Sequence, residues 1–181
     1  MNRPDWRCLS TTYPYQSRVF RIRQDRVDLG NGVQRDLSYV DSEGAVYVVP
    51  VTREGEVVLI EQYRHPVGRW VWEVPAGAMF DHTGSLAQLA ERELLEEVGG
   101  VAVRMQGVGW FYDAAPISNS KCHVFLAHGV SFEQAPRRGA TELIRRHVVG
   151  VDRALSMARD AAMVDGRSAL ALLRCERLLS R

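Results

Sequence analysis

The chain has 181 residues, 46% hydrophobic and 25% charged, which suits one well-packed domain with a small N-terminal extension and excludes a disordered or fibrous class. Lys and Arg total 23 against 22 Asp and Glu, a net charge of +1, so no global field points to nucleic acid or an acidic membrane as partner. Three scattered cysteines, Cys8, Cys122 and Cys175, form neither a disulfide framework nor a CxxC metal site. With no charged leader and no apolar run of about 18 residues, a soluble cytoplasmic protein is expected.

In chain order, Met1 to Gln16 mixes Arg, Pro and aromatics without period and reads as an arm that is mobile or depends on a partner for order. Alternation from Arg18 to Leu29, the turn residues Gly30-Asn31-Gly32, and a second run from Gln34 to Val40 predict a hairpin. Its arginines, Arg18, Arg21 and Arg23, read first as edge-strand charges. The β-branched runs Ala45 to Val51 and Val57 to Tyr63 predict a core hairpin, and Val71 to Val74 a short strand. Pro75-Ala76-Gly77 then allows close approach to the backbone.

From Ser85 to Gly100 the signals are helical, with Ser85 a candidate N-cap and Gly99 a stop. At about 100° per residue, Leu86, Ala90, Leu94 and Val98 share one arc, Leu89 lies on its flank, and Glu93 and Glu97 fall between them. Gln88, Glu91, Arg92 and Leu95 lie outside. Two inward carboxylates at i and i+4 repel one another and lose solvation unless a cation compensates them. Either a hard divalent ion held by oxygens, magnesium or manganese, or an ion pair with Arg92 or Arg104 answers that need. Beyond the helix, Val101 to Tyr112, Cys122 to Ala127 and Leu143 to Val149 read as strands, with a long loop from Asp113 to Lys121. Val151 to Met163 and Ser168 to Leu179 read as amphipathic helices. Strands interleaved with three helices imply an α+β fold, an α/β/α sandwich around a mixed sheet.

The helix also resembles the Nudix hydrolase signature G-x5-E-x7-R-E-U-x-E-E-x-G-U, U being apolar, at Arg92, Glu93, Leu94, Glu96, Glu97 and Gly99. The first half departs from the pattern. Gly84 stands where the first Glu belongs, Ala78 where the Gly belongs, and the final apolar position holds Gly100, as if the loop from Ala78 to Thr83 carried one extra residue. Glu61-Gln62-Tyr63-Arg64-His65-Pro66-Val67-Gly68-Arg69 followed by Trp72-Glu73-Val74-Pro75-Ala76-Gly77 is similar to the ADP-ribose pyrophosphatase branch. The resemblance runs from about Ala45 to Leu179.

That resemblance implies a homodimer, with residues 1–43 forming an arm and hairpin exchanged between subunits and residues 44–181 the hydrolase domain. It implies metal ligands at Glu93, Glu96, Glu97 and the carbonyl of Ala76, with Arg92 beside them and a further carboxylate, Glu142 or failing that Glu133, binding metal or orienting water. Magnesium is the implied cofactor, manganese an alternative. Arg64 and Glu73 are implied substrate contacts, as is Pro116 in a loop that lacks the branch's following acid. Arg64 and Glu73 read equally as a surface ion pair. The aromatics Phe20, Tyr63, Trp70 and Trp72 read first as core, and the five histidines as structural. The expected activity cleaves the diphosphate of ADP-ribose or a related nucleoside diphosphate sugar into two monophosphates. A non-catalytic nucleotide sensor is the alternative that Gly84 and Gly100 favour.

Overall fold

Two apolar runs make the centre of the protein, strands β4 (Ala45–Thr52) and β5 (Val57–Arg64), because β-branched side chains fit a pleated sheet covered on both faces. The computed structural model describes residues 4–80, 82–137, 139 and 142–179. It divides into two compact units, one holding the chain up to Gly44 with Tyr112–Lys121, the other Ala45–Phe111 with the chain from Cys122 onward.

The first unit is a three-stranded antiparallel sheet in the order β1 (Arg7–Gln16), β2 (Arg21–Asp28), β3 (Gln34–Asp41). The predicted hairpin is β2 and β3. The predicted arm is instead a strand from Arg7, paired with β2 through two register shifts. Those irregularities break the alternation that would have announced it. Buried Asp25 ties the strands together, accepting from Thr11 Oγ1 of β1 (2.6 Å), Arg23 Nε (2.9 Å) and the Tyr39 hydroxyl of β3 (3.1 Å). Asn119 closes the other segment of this unit, donating to the Asp41 carboxylate at 2.5 Å and accepting from the Ser42 amide.

In the second unit, β6 (Arg69–Glu73) pairs with β5 and β7 (Ala76–Ala78) with β4. Helix α1 (Leu86–Val98) follows, then β8 (Gly100–Val101), β9 (Arg104–Tyr112), β10 (Lys121–Phe132), β11 (Ile144–Val149), α2 (Val151–Arg159) and α3 (Gly166–Leu179). The sheet runs β11-β5-β4-β10-β8. It is mixed, because β10 pairs parallel to β4 while β11 pairs antiparallel to β5.

Alternation along the strands sorts the core into two layers. Val46, Val48, Val58 and Ile60 face Leu89, Ala90, Leu94 and Val98 of α1, and Tyr47, Val49, Val57 and Leu59 face Ala154, Leu155, Met157, Ala171, Leu172 and Cys175 of α2 and α3. This is the expected α/β/α sandwich. Leu89 and Leu94 are almost wholly enclosed, so truncating either to Ala costs about 2–5 kcal/mol.

Several boundaries differ from the sequence reading. The strand expected from Val101 to Tyr112 is two strands, β10 continues five residues past Ala127, and α2 ends at Arg159 rather than Met163. Among the described residues no helix is long and apolar enough to cross a membrane.

Candidate active site

Helix α1 begins as its sequence dictates. Ser85 Oγ accepts from the Gln88 amide (3.2 Å) and the Gln88 side chain accepts from the Ser85 amide (2.8 Å), a reciprocal capping box. Gly99 ends the helix at φ +70°, where a Cβ would strike the Gln134 carbonyl.

Between these caps, Glu93 and Glu97 turn toward the start of β7. Glu97 is 4% exposed, and its Oε2 accepts from the Ala76 amide at 3.1 Å. Burial pushes its carboxyl up to about 8. The Ala76 N–H opposes that shift, Glu93 and Glu142 add to it, and Arg64 offsets it in turn. Glu93 is raised as well, first by burial and then by Glu96, against the pull of Arg92, with Glu142 adding. Gly77 is what lets Glu93 so close to the backbone, since a Cβ there would overlap its carboxylate.

The β7 register explains why the Ala76 backbone N–H is free to meet Glu97. Val48 N–H donates to the Pro75 carbonyl at 2.8 Å and Tyr47 stands opposite Ala76. Bonded and non-bonded pairs alternate in antiparallel ladders, so Ala76 turns both its N–H and its carbonyl away from β4.

Arg64 and Glu73 form a bidentate pair at 2.8 and 2.5 Å. Glu73 is buried, and the field of Glu97 also acts on Arg64. One turn of the pleat away, Gln62 shares the α1 face of β5, opposite Val71 and Ile144, with its Oε1 buried and without a hydrogen-bond partner among the described residues. Glu142, just before β11, lies near enough for its charge to act on both Glu93 and Glu97, while its Oε2 accepts from the Gly139 amide at 2.7 Å.

Of the residues expected at the site, Glu93, Glu96, Glu97, Ala76, Arg92 and Glu142 therefore gather around one end of the sheet. Arg92 stays on the outer face and reaches Glu93 at 3.6 Å. Arg104, the other candidate partner for the α1 carboxylates, bonds instead to Gln106 and His128. Glu133 accepts from Ser131. Pro116 belongs to the first compact unit. Trp70 carries the Arg145 guanidinium over its ring at 3.9 Å, and Trp72 packs on the α2–α3 core. Gly84 stands where the expected carboxylate is missing, with Gln88 Oε1 and the His82 ring beside it. Asp81 and Thr141, in the two loops concerned, lie outside the described residues.

The donors fit a hard divalent ion: all are oxygens, buried Glu97 and half-buried Glu93 are carboxylates that a cation would relieve, and Gly77 leaves room for Glu93 against β7. Among the described residues, no three His, Cys, Asp or Glu side chains already close on a single point. The arrangement is open.

Two residues here escaped the sequence reading. Gln62 was visible within the Glu61-to-Arg64 run, but its buried acceptor shows only once β6 and β11 flank β5. Arg146 Nη1 donates to the Val98 carbonyl at the end of α1 at 2.7 Å, and only alternation along β11 could have hinted which face it takes.

The chain is similar to several known proteins. An ADP-ribose pyrophosphatase of Bacillus subtilis is 29% identical over 159 residues, covering 87% of this chain and 85% of its own. A methanol dehydrogenase activator of Bacillus methanolicus is 28% identical over 91% of this chain and 89% of its own. The crystal structure of an ADP compounds hydrolase superposes with a TM-score of 0.82 at 21% identity, covering 97% of this chain and 94% of that one, which bears on the fold. The NUDIX domain model matches residues 41–169, well over half of the chain, and the protein therefore belongs to the NUDIX family.

Proposed function

We propose that the protein is a divalent-metal-dependent hydrolase that cleaves the diphosphate of ADP-ribose, or of a related nucleoside diphosphate sugar, into two monophosphates. One observation carries the reading: Glu97, buried, and Glu93, half-buried, are acidic groups one helical turn apart that both lie against the Ala76–Gly77 backbone. Such a pair destabilises the free protein and is relieved by a cation. Magnesium suits the oxygen donors, and manganese is the alternative. When bound, the ion neutralises diphosphate charge and makes a coordinated water more acidic.

The chain's own residues do the rest. Glu93 and Glu97 hold the ion, with Glu96 and the Ala76 carbonyl as further donors. Arg92 steadies Glu93 from the rim. Arg64, its guanidinium plane fixed by buried Glu73, presents donors to phosphate or ribose oxygens. Glu142 orients the attacking water and takes its proton or serves as a further ligand. The water oxygen bonds to one phosphorus as the bridging P–O bond breaks. ADP-ribose is favoured because a relative of nearly full coverage bears that activity in its name. Cys122 and Cys175 are buried and in no disulfide among the described residues, which suits the reducing cytoplasm.

The test is release of the nucleoside monophosphate, AMP for ADP-ribose, from a panel of nucleoside diphosphate sugars with magnesium. Hydrolysis of ADP-ribose is expected. Cleavage of another panel member alone keeps the chemistry and changes the substrate. Because Gly84 supplies no carboxylate, a sensor is the competing reading. Binding of ADP-ribose without AMP release under magnesium or manganese would establish it.

A further inference from the structure

Helix α1 carries its carboxylates at the wrong end. Peptide dipoles leave a partial negative charge at a helix C-terminus, where cations are favoured and carboxylates are not. Yet the last turn of α1 is Leu95-Glu96-Glu97-Val98, with no basic residue of its own. That turn also exposes carbonyls that have no partner within the helix.

The chain brings those partners from elsewhere. The Gly99 amide donates to the Leu95 carbonyl (2.9 Å), the Arg137 amide to the Glu96 carbonyl (2.8 Å) and Arg146 Nη1 to the Val98 carbonyl (2.7 Å). Only the last of these carries a full positive charge. The Arg146 guanidinium also lies over the Phe132 ring at 3.9 Å, a planar contact that fixes its direction. Its place on β11 is set by register, since Arg146 stands opposite Ile60 and Ile144 opposite Gln62, all on the α1 face. Arg145 points to the other face, over Trp70.

Arg146 also lies four residues beyond Glu142, and Arg137 five residues before it. Contacts with the last turn of α1 therefore flank Glu142 on both sides. We propose that Arg146 is a positioning residue for the hydrolytic site: by clamping the Val98 carbonyl it supplies the cation that the last turn of α1 lacks and registers Glu142 against Glu93 and Glu97. This rests on the reading of α1 as the metal-holding helix.

The experiment compares Arg146→Met, Arg146→Lys and the opposite-face control Arg145→Met with the wild type. Mn2+ binding is measured by electron paramagnetic resonance without substrate, alongside magnesium activation of ADP-ribose cleavage and thermal stability without metal. Outer partners of metal ligands typically contribute about tenfold or more in affinity or activity. Arg146→Met is expected to weaken Mn2+ binding about tenfold and to raise the half-activating magnesium concentration in step. Arg146→Lys restores part of both, and Arg145→Met leaves both unchanged. A folded Arg146→Met protein with wild-type Mn2+ affinity overturns the proposal, whether or not its melting temperature falls, because a purely structural role changes stability alone. A wild type that binds no Mn2+ and cleaves no member of the panel overturns the metal-site reading itself, and the role of Arg146 with it.

Discussion

Glu97 sits where its charged form is least welcome, and that gives the metal-free protein a pH dependence of definite sign. A carboxyl raised to about 8 in the folded state keeps its proton at pH values where the unfolded chain, near the ordinary value of about 4.3, has lost it. The folded state then binds more protons, so stability falls as pH rises between those values, by at most about 1.4 kcal/mol per unit. Glu93, shifted the same way, adds to the slope. Glu97→Gln removes this group's share while its amide oxygen still accepts from Ala76. Urea unfolding in EDTA is expected to show the variant more stable than wild type at pH 7.5 and equal to it near pH 4.5, while its turnover with magnesium drops by orders of magnitude. Equal stability at both pH values would show that Glu97 carries no such strain. The inward direction of Glu93 and Glu97 was legible from helical periodicity alone, because both sides of the comparison lie within one turn.

For α1 as an element, the start was legible and the consequence of its oddest residue was not. Ser85 reads as an N-cap and Gly99 as a stop, while the reciprocal bond of Gln88, which reads only as an outer-face residue, and the left-handed turn at Gly99 appear in the structure. What Gly84 does depends on neighbours the sequence cannot place. A Cβ there would sit 2.7 Å from Gln88 Oε1 and 3.0 Å from the His82 ring, side-chain ends that can move. Gly84→Glu therefore gains a carboxylate near the positive end of the helix, worth about 0.3–1 kcal/mol, while disturbing the bond from Gln88 to the Ser85 amide, worth about 0.5–1.5 kcal/mol. The melting temperature is expected to change by no more than a few degrees, with a modest rise in magnesium affinity. Activity that appears only in the variant would turn the assignment toward the sensor. Other element ends were hidden for comparable reasons. β10 passes Ala127 through a register shift and through Gly129 at φ +64°, which interrupts the period-two pattern. α2 stops short of Met163 because Ala161 adopts φ +57°, a left-handed conformation the apolar spacing does not foretell.

At the scale of the whole molecule, the sandwich was legible because each layer repeats its own period, whereas contacts such as Arg146 with Val98 join positions 48 residues apart and depend on strand register. The N-terminal sheet raises the question of assembly. β1 is exposed along its length, and Trp6, Leu9, Tyr13, Tyr15, Phe20 and Leu37 are exposed too. Large apolar side chains left exposed together mark an interaction surface. Light scattering at micromolar concentration is expected to give twice the chain mass, and a monomer with or without nucleotide would contradict the homodimer. The parallel pairing of β4 with β10 has a consequence in time. Cys122 must find Ala45, and Leu126 must find Val49, across a stretch that includes all of α1, so the floor beneath the carboxylates closes only when a distant part of the chain arrives. Contacts of such long range slow folding. During synthesis, the apolar runs of β4 and β5 wait with an open edge until Phe132 has left the ribosome, which makes that interval the one in which the newborn chain most needs shielding from its neighbours.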